Sequence, residues 1–163
     1  CQKHGNFTKE KPVKLSDNFS LIEFTKSQTA ERKGIENTPN EIQKIAMEAL
    51  CKNILERVRS SFGKPVMINS GYRSPALCEA IGSKATSQHC KGEAADIEIY
   101  GVSNYDLAKY IENNLNFDQL ILECWDGIEP NSGWVHVSYV DDTTNRKDVL
   151  TYTRAGGYTK GIV

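Results

Sequence analysis

Two histidines and an aspartate are the residues of this chain best suited to chemistry. His89 precedes Asp96 by seven positions in SQHCKGEAADIEI (87–99), and His136 lies in GWVHVSY (133–139). Two imidazoles and one carboxylate make a three-ligand set that leaves a fourth position for a reactant. That is the composition of a catalytic zinc site, whereas structural zinc sites close with four protein ligands, often cysteines. A single strand histidine is ordinarily a satisfied core or surface group, so the combination carries the weight. His4 sits in a polar N-terminal stretch and is given no role.

The flanking residues suit a crowded centre. Gly92 permits a tight turn ahead of the strand, and Ala94 and Ala95 keep bulk away. Cys90 adjoins His89, but neighbours on an extended chain point to opposite sides, so it is not expected as a ligand. Ser87 and Gln88 are candidates for orienting ligands or substrate. Trp125, Trp134 and Tyr72 are candidates for walling a cleft, with Trp134 facing substrate, although aromatics near a sheet are more often plain core.

Elements must bring these groups together. Ala95, Ile97 and Ile99 alternate with Asp96, Glu98 and Tyr100, the period of a half-buried strand. In GWVHVSY, Trp134, His136 and Ser138 share one face. FDQLILEC (117–124) and GWVHVSYV (133–140) read as strands around the turn-rich WDGIEPNS. PVMINS (65–70) is a strand entering the turn GYRSP, and Ser74 and Pro75 start a short helix that ends at Gly82.

Helices precede and separate these strands. TPNEIQKIAMEALCKNILERVRSSFG (38–63) has Thr38 as N-cap, Pro39 at the first position and Glu41 completing a capping box. Its expected core face is Ile42, Ile45, Ala46, Ala49, Leu50, Ile54 and Val58. SNYDLAKYIENN is a helix capped by Ser103 and Asp106, and Ser20 caps a short one in SLIE. Residues 1–19 read as an N-terminal arm and 20–163 as a single domain. The class is α+β, with a small, mostly antiparallel sheet flanked by helices.

Bulk properties narrow the field. A net charge of −1 argues against nucleic acid as partner. No apolar run reaches membrane-spanning length, and CQKHGNFTKEKPVK is not a signal peptide. A monomer is expected unless the chain is assembled in a virion. The five cysteines are odd in number and lack a C-x-x-C pair, so no disulfide framework is expected and folding in a reducing compartment follows. Cys51 and Cys124 read as small buried hydrophobes. Cys1 is read as merely the first residue, with a processed or lipidated terminus as the alternative.

Three motifs together carry a resemblance. SQHCKGEAADI fits Ser-x-His-x-x-Gly-x-Ala-x-Asp, GWVHVSY carries Trp-x-His, and INSGYRSP is an arginine-bearing turn. In order and spacing, over roughly residues 64–140, they resemble the zinc D-Ala-D-Ala carboxypeptidases and L-alanyl-D-glutamate endopeptidases, the M15 peptidases. The resemblance implies a Hedgehog/DD-peptidase-like fold and a Zn2+ held by His89, Asp96 and His136. It implies Arg73 as the group that grips a substrate carboxylate or carbonyl oxygen, a task suited to the planar guanidinium fork. It implies peptidoglycan stem peptides as substrate, and the chain's small size suits a phage endolysin or virion-associated lytic protein.

One position departs from the pattern. Where several members carry an acidic residue three places before the last histidine, this chain has Gly133. Glu123 is the candidate base, on the expectation that a hairpin register sets it opposite His136. Asp126 and Glu129 in the connecting loop are the alternatives, and Glu123 as a mere partner of His136 is the plainer reading. The competing function is a module that keeps fold and metal without turnover, as the Hedgehog signalling domain illustrates.

Overall fold

Side-chain alternation decides which side of the sheet is covered. The computed structural model describes residues 11–163, so His4 and Cys1 lie outside the described residues. In chain order the elements are β1 (Lys14–Ser16), β2 (Phe19–Ser20), α1 (Leu21–Thr25), α2 (Gln28–Lys33), α3 (Glu41–Leu50), a π-helical turn (Cys51–Leu55), α4 (Glu56–Phe62), β3 (Met67–Ser70), α5 (Pro75–Ala80), a 3₁₀ turn (Gln88–Lys91), β4 (Ala94–Glu98), α6 (Asn104–Asn114), β5 (Gln119–Glu123), β6 (Trp134–Ser138), β7 (Asp148–Thr153) and β8 (Gly157–Lys160). Six strands form one sheet in the order β3-β4-β6-β5-β7-β8, and β1 pairs with β2. Every pairing in the large sheet is antiparallel except β5 with β7. The fold is α+β, as the order of elements predicted.

Ala95, Ile97, Leu120, Leu122, Val135 and Val137 are fully buried on one sheet face, in a single core with Leu107 and Ile111 of α6 and Met47, Leu50, Ile54 and Val58 of the α3–α4 rod. Burial of each such large aliphatic side chain is worth roughly 1.5–3 kcal/mol. The residues between them, Asp96, Ile121, Glu123 and His136, therefore point to the opposite face. One face of the sheet builds the fold, and the other presents Asp96, Glu123 and His136.

Three expectations about the elements are corrected. The α3 cap is Asn40, not Thr38: its side chain accepts from Gln43 N at 2.9 Å, and Gln43 Oε1 accepts from Asn40 N at 2.8 Å. The stripe meeting the core is Met47, Leu50, Cys51, Ile54, Leu55 and Val58; at about 100° per residue, Ile42 and Ile45 fall outside it and are exposed. The π turn inserts an extra residue into the rod and broadens that stripe. Residues 14–20 are not a loose arm: Leu15 and Phe19 enter the core, and Ser16 Oγ and Asn18 N both donate to Glu56 Oε1 at 2.8 Å. Ser20 does cap α1 as expected, with Glu23 closing its box.

Candidate metal centre and active site

The β4–β6 register sets Asp96 directly opposite His136, so the two side chains share a sheet face. His89 arrives from the 3₁₀ turn. Ser87 Oγ accepts from His89 N at 3.3 Å and starts that turn, and Gly92 ends it at a φ of 75°. A Cβ at Gly92 would collide with the Gln43 carbonyl, so only glycine fits there.

The imidazoles are oriented by their partners. His89 Nδ1 donates to the Gly71 carbonyl at 2.7 Å, because a carbonyl only accepts. Its Nε2 is thereby left with a lone pair, 3.4 Å from Asp96 Oδ1. His136 Nδ1 lies 3.1 Å from the same oxygen. All three side chains are buried, and one ligating atom from each lies within 4.8 Å of the others. Burial by itself would raise the Asp96 carboxyl, but the neighbouring imidazoles of His136 and His89 hold it well below the usual carboxylate range.

Arg73 borders this cluster. Its Nε donates to Ser70 Oγ at 2.9 Å and its Nη2 to Asp96 Oδ2 at 3.2 Å. The turn carrying it is pinned by Asn37, whose Nδ2 donates to the Thr25 and Tyr72 carbonyls at 2.9 and 3.0 Å and whose Oδ1 accepts from Ser74 N at 2.7 Å. A cavity of about 600 Å³, lined by Lys26, Arg32, Ser70, Tyr72 and Arg73 among others, opens on this flank.

The β5–β6 hairpin forms as expected, but its register is shifted by two. Glu123 pairs with Trp134, and it is Ile121 that stands opposite His136. A slip of two keeps the same face, so Glu123 remains a diagonal neighbour of His136. Burial, helped by the Asp96 charge and opposed by His136, pushes the Glu123 carboxyl above its ordinary value. Gly133 has a φ of 67°, and a Cβ there would collide with the Glu123 carbonyl, so no acid can stand at that position in this backbone.

The remaining candidates divide. Asp126 is exposed, and its Oδ1 accepts from Ile128 N and Glu129 N, both at 2.8 Å, and from Ser132 Oγ at 2.9 Å. Those bonds hold its carboxyl low and commit it to the loop. Glu129 is also exposed in that loop. Gln88 donates to Asp118 Oδ2 at 2.9 Å. Trp134 stands beside Glu123 with its indole N–H buried. Tyr72 is buried beside the cavity, and Trp125 packs near Tyr105 at a ring separation of 6.2 Å.

The cysteines depart from expectation. Cys78 of α5 and Cys90 of the 3₁₀ turn form a disulfide, which ties the Arg73 turn to the His89 turn and removes Cys90 as a ligand. Cys51 is free and fully buried, and its thiol is pushed far up by that burial, whereas Cys124 is only partly buried.

Two residues escaped the sequence reading. Besides Asn37, Asp118 takes Arg146 Nη2 at 2.8 Å and Arg146 N at 3.0 Å as well as Gln88, and so anchors the His89 turn to β5. No spacing pattern announces either, because their partners lie 12 to 37 positions away.

A family model described as Peptidase M15 matches residues 17–138. The chain belongs to the M15 peptidase family. No curated protein matches it. The members of this family are zinc peptidases, and in this M15 peptidase the His89–Asp96–His136 cluster can hold a metal ion. The donor set fits: two imidazole nitrogens and one carboxylate oxygen, with the second nitrogen of His89 fixed by a carbonyl. The matched span of the M15 peptidase includes Arg73, Glu123 and all three cluster residues, and stops before β7.

Proposed function

We propose that the protein is a zinc-dependent hydrolase of peptide bonds in peptidoglycan stem peptides, acting as a phage-type or virion-associated lytic enzyme. One observation carries this reading: His89 Nε2 and His136 Nδ1 face the same oxygen of Asp96, with Glu123 and Arg73 beside them, in a chain of the M15 family. Bound zinc supplies a Lewis acid for the scissile carbonyl and lowers the pKa of water at the site.

The chain's own groups do the rest. Glu123, with its raised pKa, takes a proton from the attacking water and delivers it to the departing amine as the C–N bond breaks. Arg73 is already oriented by Ser70 and Asp96, and its guanidinium presents N–H donors to a substrate carboxylate or to the oxygen that gains charge. Trp134, partly exposed on the face of His136, offers its ring to the same substrate.

Gly133 favours the competing reading, a metal-holding module without turnover. Incubation of the zinc-loaded protein with purified muropeptides, followed by mass spectrometry, separates the two. Cleavage fragments support the peptidase and locate the bond. A fully metal-loaded protein that releases nothing would overturn it.

A further inference from the structure

The family match ends at residue 138, but the face that bears the metal cluster does not. In the sheet register Trp134 pairs with Glu123, Glu123 with Tyr152, and Tyr152 with Tyr158. Residues directly opposite each other project to the same side. One row therefore runs Trp134, Glu123, Tyr152, Tyr158 across β6, β5, β7 and β8, on the face of His136 and Asp96. The Tyr152 and Tyr158 rings meet at 4.8 Å between centroids, inclined by 47°. Tyr158 is 61% exposed.

The platform is firmly held. On the opposite face Thr151 is buried, its Oγ1 donates to the Gly161 carbonyl at 2.7 Å, and Val163 N donates back to it at 3.2 Å. Ile162 enters the core, and Lys160 pairs with Asp148 at 2.8 Å. The strands that carry the two rings are thus anchored, with Tyr152 partly buried and Tyr158 open to solvent. Partial burial and the charge of Glu123 push the Tyr158 phenol above its ordinary value, so Tyr158 lies within electrostatic reach of Glu123.

We propose that Tyr152 and Tyr158 form a substrate subsite on the flank of the metal centre away from Arg73, which takes the uncharged stretch of an extended peptide remote from the scissile bond. The inference rests on the peptidase reading for its kinetic test. Aromatic faces suit this ligand because they pack on aliphatic C–H groups and on peptide planes. Length is set by the sheet. Strands lie about 4.8 Å apart, so three steps from β6 to β8 span about 14 Å, and an extended chain rises about 3.3 Å per residue. About four residues are needed to reach from the metal cluster to Tyr158. A dipeptide anchored at Arg73 does not reach it, so the enzyme selects for longer peptides.

The test compares a stem pentapeptide with a dipeptide that carries the same scissile bond, using zinc-loaded protein. Tyr158→Ala should lower the ratio of kcat/KM, pentapeptide over dipeptide, at least about tenfold, mainly through KM, with metal content unchanged. Tyr158→Phe, which keeps the ring, should retain most of that ratio. An unchanged ratio in Tyr158→Ala, or equal losses on both peptides, would overturn the subsite. Calorimetric binding of the pentapeptide in a Glu123→Gln background needs no turnover. Weaker binding on adding Tyr158→Ala supports the subsite even if the parent cleaves nothing, in which case only the peptidase reading fails. Equal binding would remove the subsite whatever the parent's activity.

Discussion

Asp96 and Asp118 are both almost fully buried, both hydrogen-bonded to an arginine, and both held below the ordinary carboxylate range. Their surroundings differ in kind. Asp118 is closed by donors: Arg146 contributes Nε at 3.1 Å to each oxygen, Nη2 at 2.8 Å and its backbone N at 3.0 Å, and Gln88 adds Nε2 at 2.9 Å. Asp96 receives one guanidinium N–H on Oδ2, while Oδ1 faces two imidazole nitrogens. The Gly71 carbonyl makes one of those nitrogens, His89 Nε2, a lone-pair carrier. A buried carboxylate saturated by N–H groups ties the fold together. A buried carboxylate grouped with imidazole lone pairs suits a cation.

Substitutions break this contrast in order of size. Asp96→Asn keeps the shape but removes the charge. Metal affinity should fall beyond the roughly 100-fold typical of losing an outer-shell partner, and turnover should drop to background. Metal analysis after dialysis reads this directly, and retained metal would put Asp96 in the same class as Asp118. Glu123→Gln should cut turnover on the order of 100-fold while metal content stays at the parent level. If its loss of rate were accompanied by loss of metal, Glu123 would be part of the ligand shell and not the base.

Asp118→Asn should do the reverse. It leaves part of the Arg146 fork unpaired and should destabilise the fold by about 2–3 kcal/mol in urea titrations, with metal stoichiometry unchanged. Its pH signature has a definite sign. Burial opposes ionisation, but the Arg146 and Gln88 hydrogen bonds win and depress the native-state pKa, so the unfolded chain binds a proton more readily. The stabilisation is complete above about pH 4 and is lost as pH falls through the native value. Asp118→Asn should flatten that acid limb. An acid limb identical to the parent's would mean that the clamp contributes nothing.

Arg73→Lys keeps a charge but loses the fork. It should lower kcat/KM about tenfold, with a melting temperature close to the parent's. A fully active variant would reduce the GYRSP segment to a turn. The smallest effect is expected from Gln88→Ala, about 1 kcal/mol in urea unfolding, since one neutral donor to Asp118 is lost and Arg146 remains. If the larger change were in substrate KM, Gln88 would belong to the substrate surface and the clamp would end at Arg146.

Much of the centre was written locally. SQHCKGEAAD holds two cluster residues, the capping serine and the glycine turn within ten positions, so residue type and spacing alone expose it. Period-2 alternation placed Asp96 and His136 on strands and chose their faces, and Ser74 and Ser103 marked helix starts that the structure retains. Alternation does not choose register, because a shift of two preserves the face. The partner of Glu123 was settled by the hairpin itself, which leaves β5 through Cys124 at a φ of 57° and enters β6 through Gly133 at 67°. The π turn that broadens the α3–α4 stripe, the Cys78–Cys90 link, the Asn37 pin and the Asp118–Arg146 clamp likewise depend on partners distant in the chain or on how the rod packs. The sequence by itself determined which residues can bind a cation and which way each strand faces, since both follow from side-chain chemistry and backbone period. The tertiary structure alone decided which nitrogen faces the carboxylate, which glutamate stands beside it, and that two tyrosines beyond the matched span share its face, because those are distances, and packing sets distances.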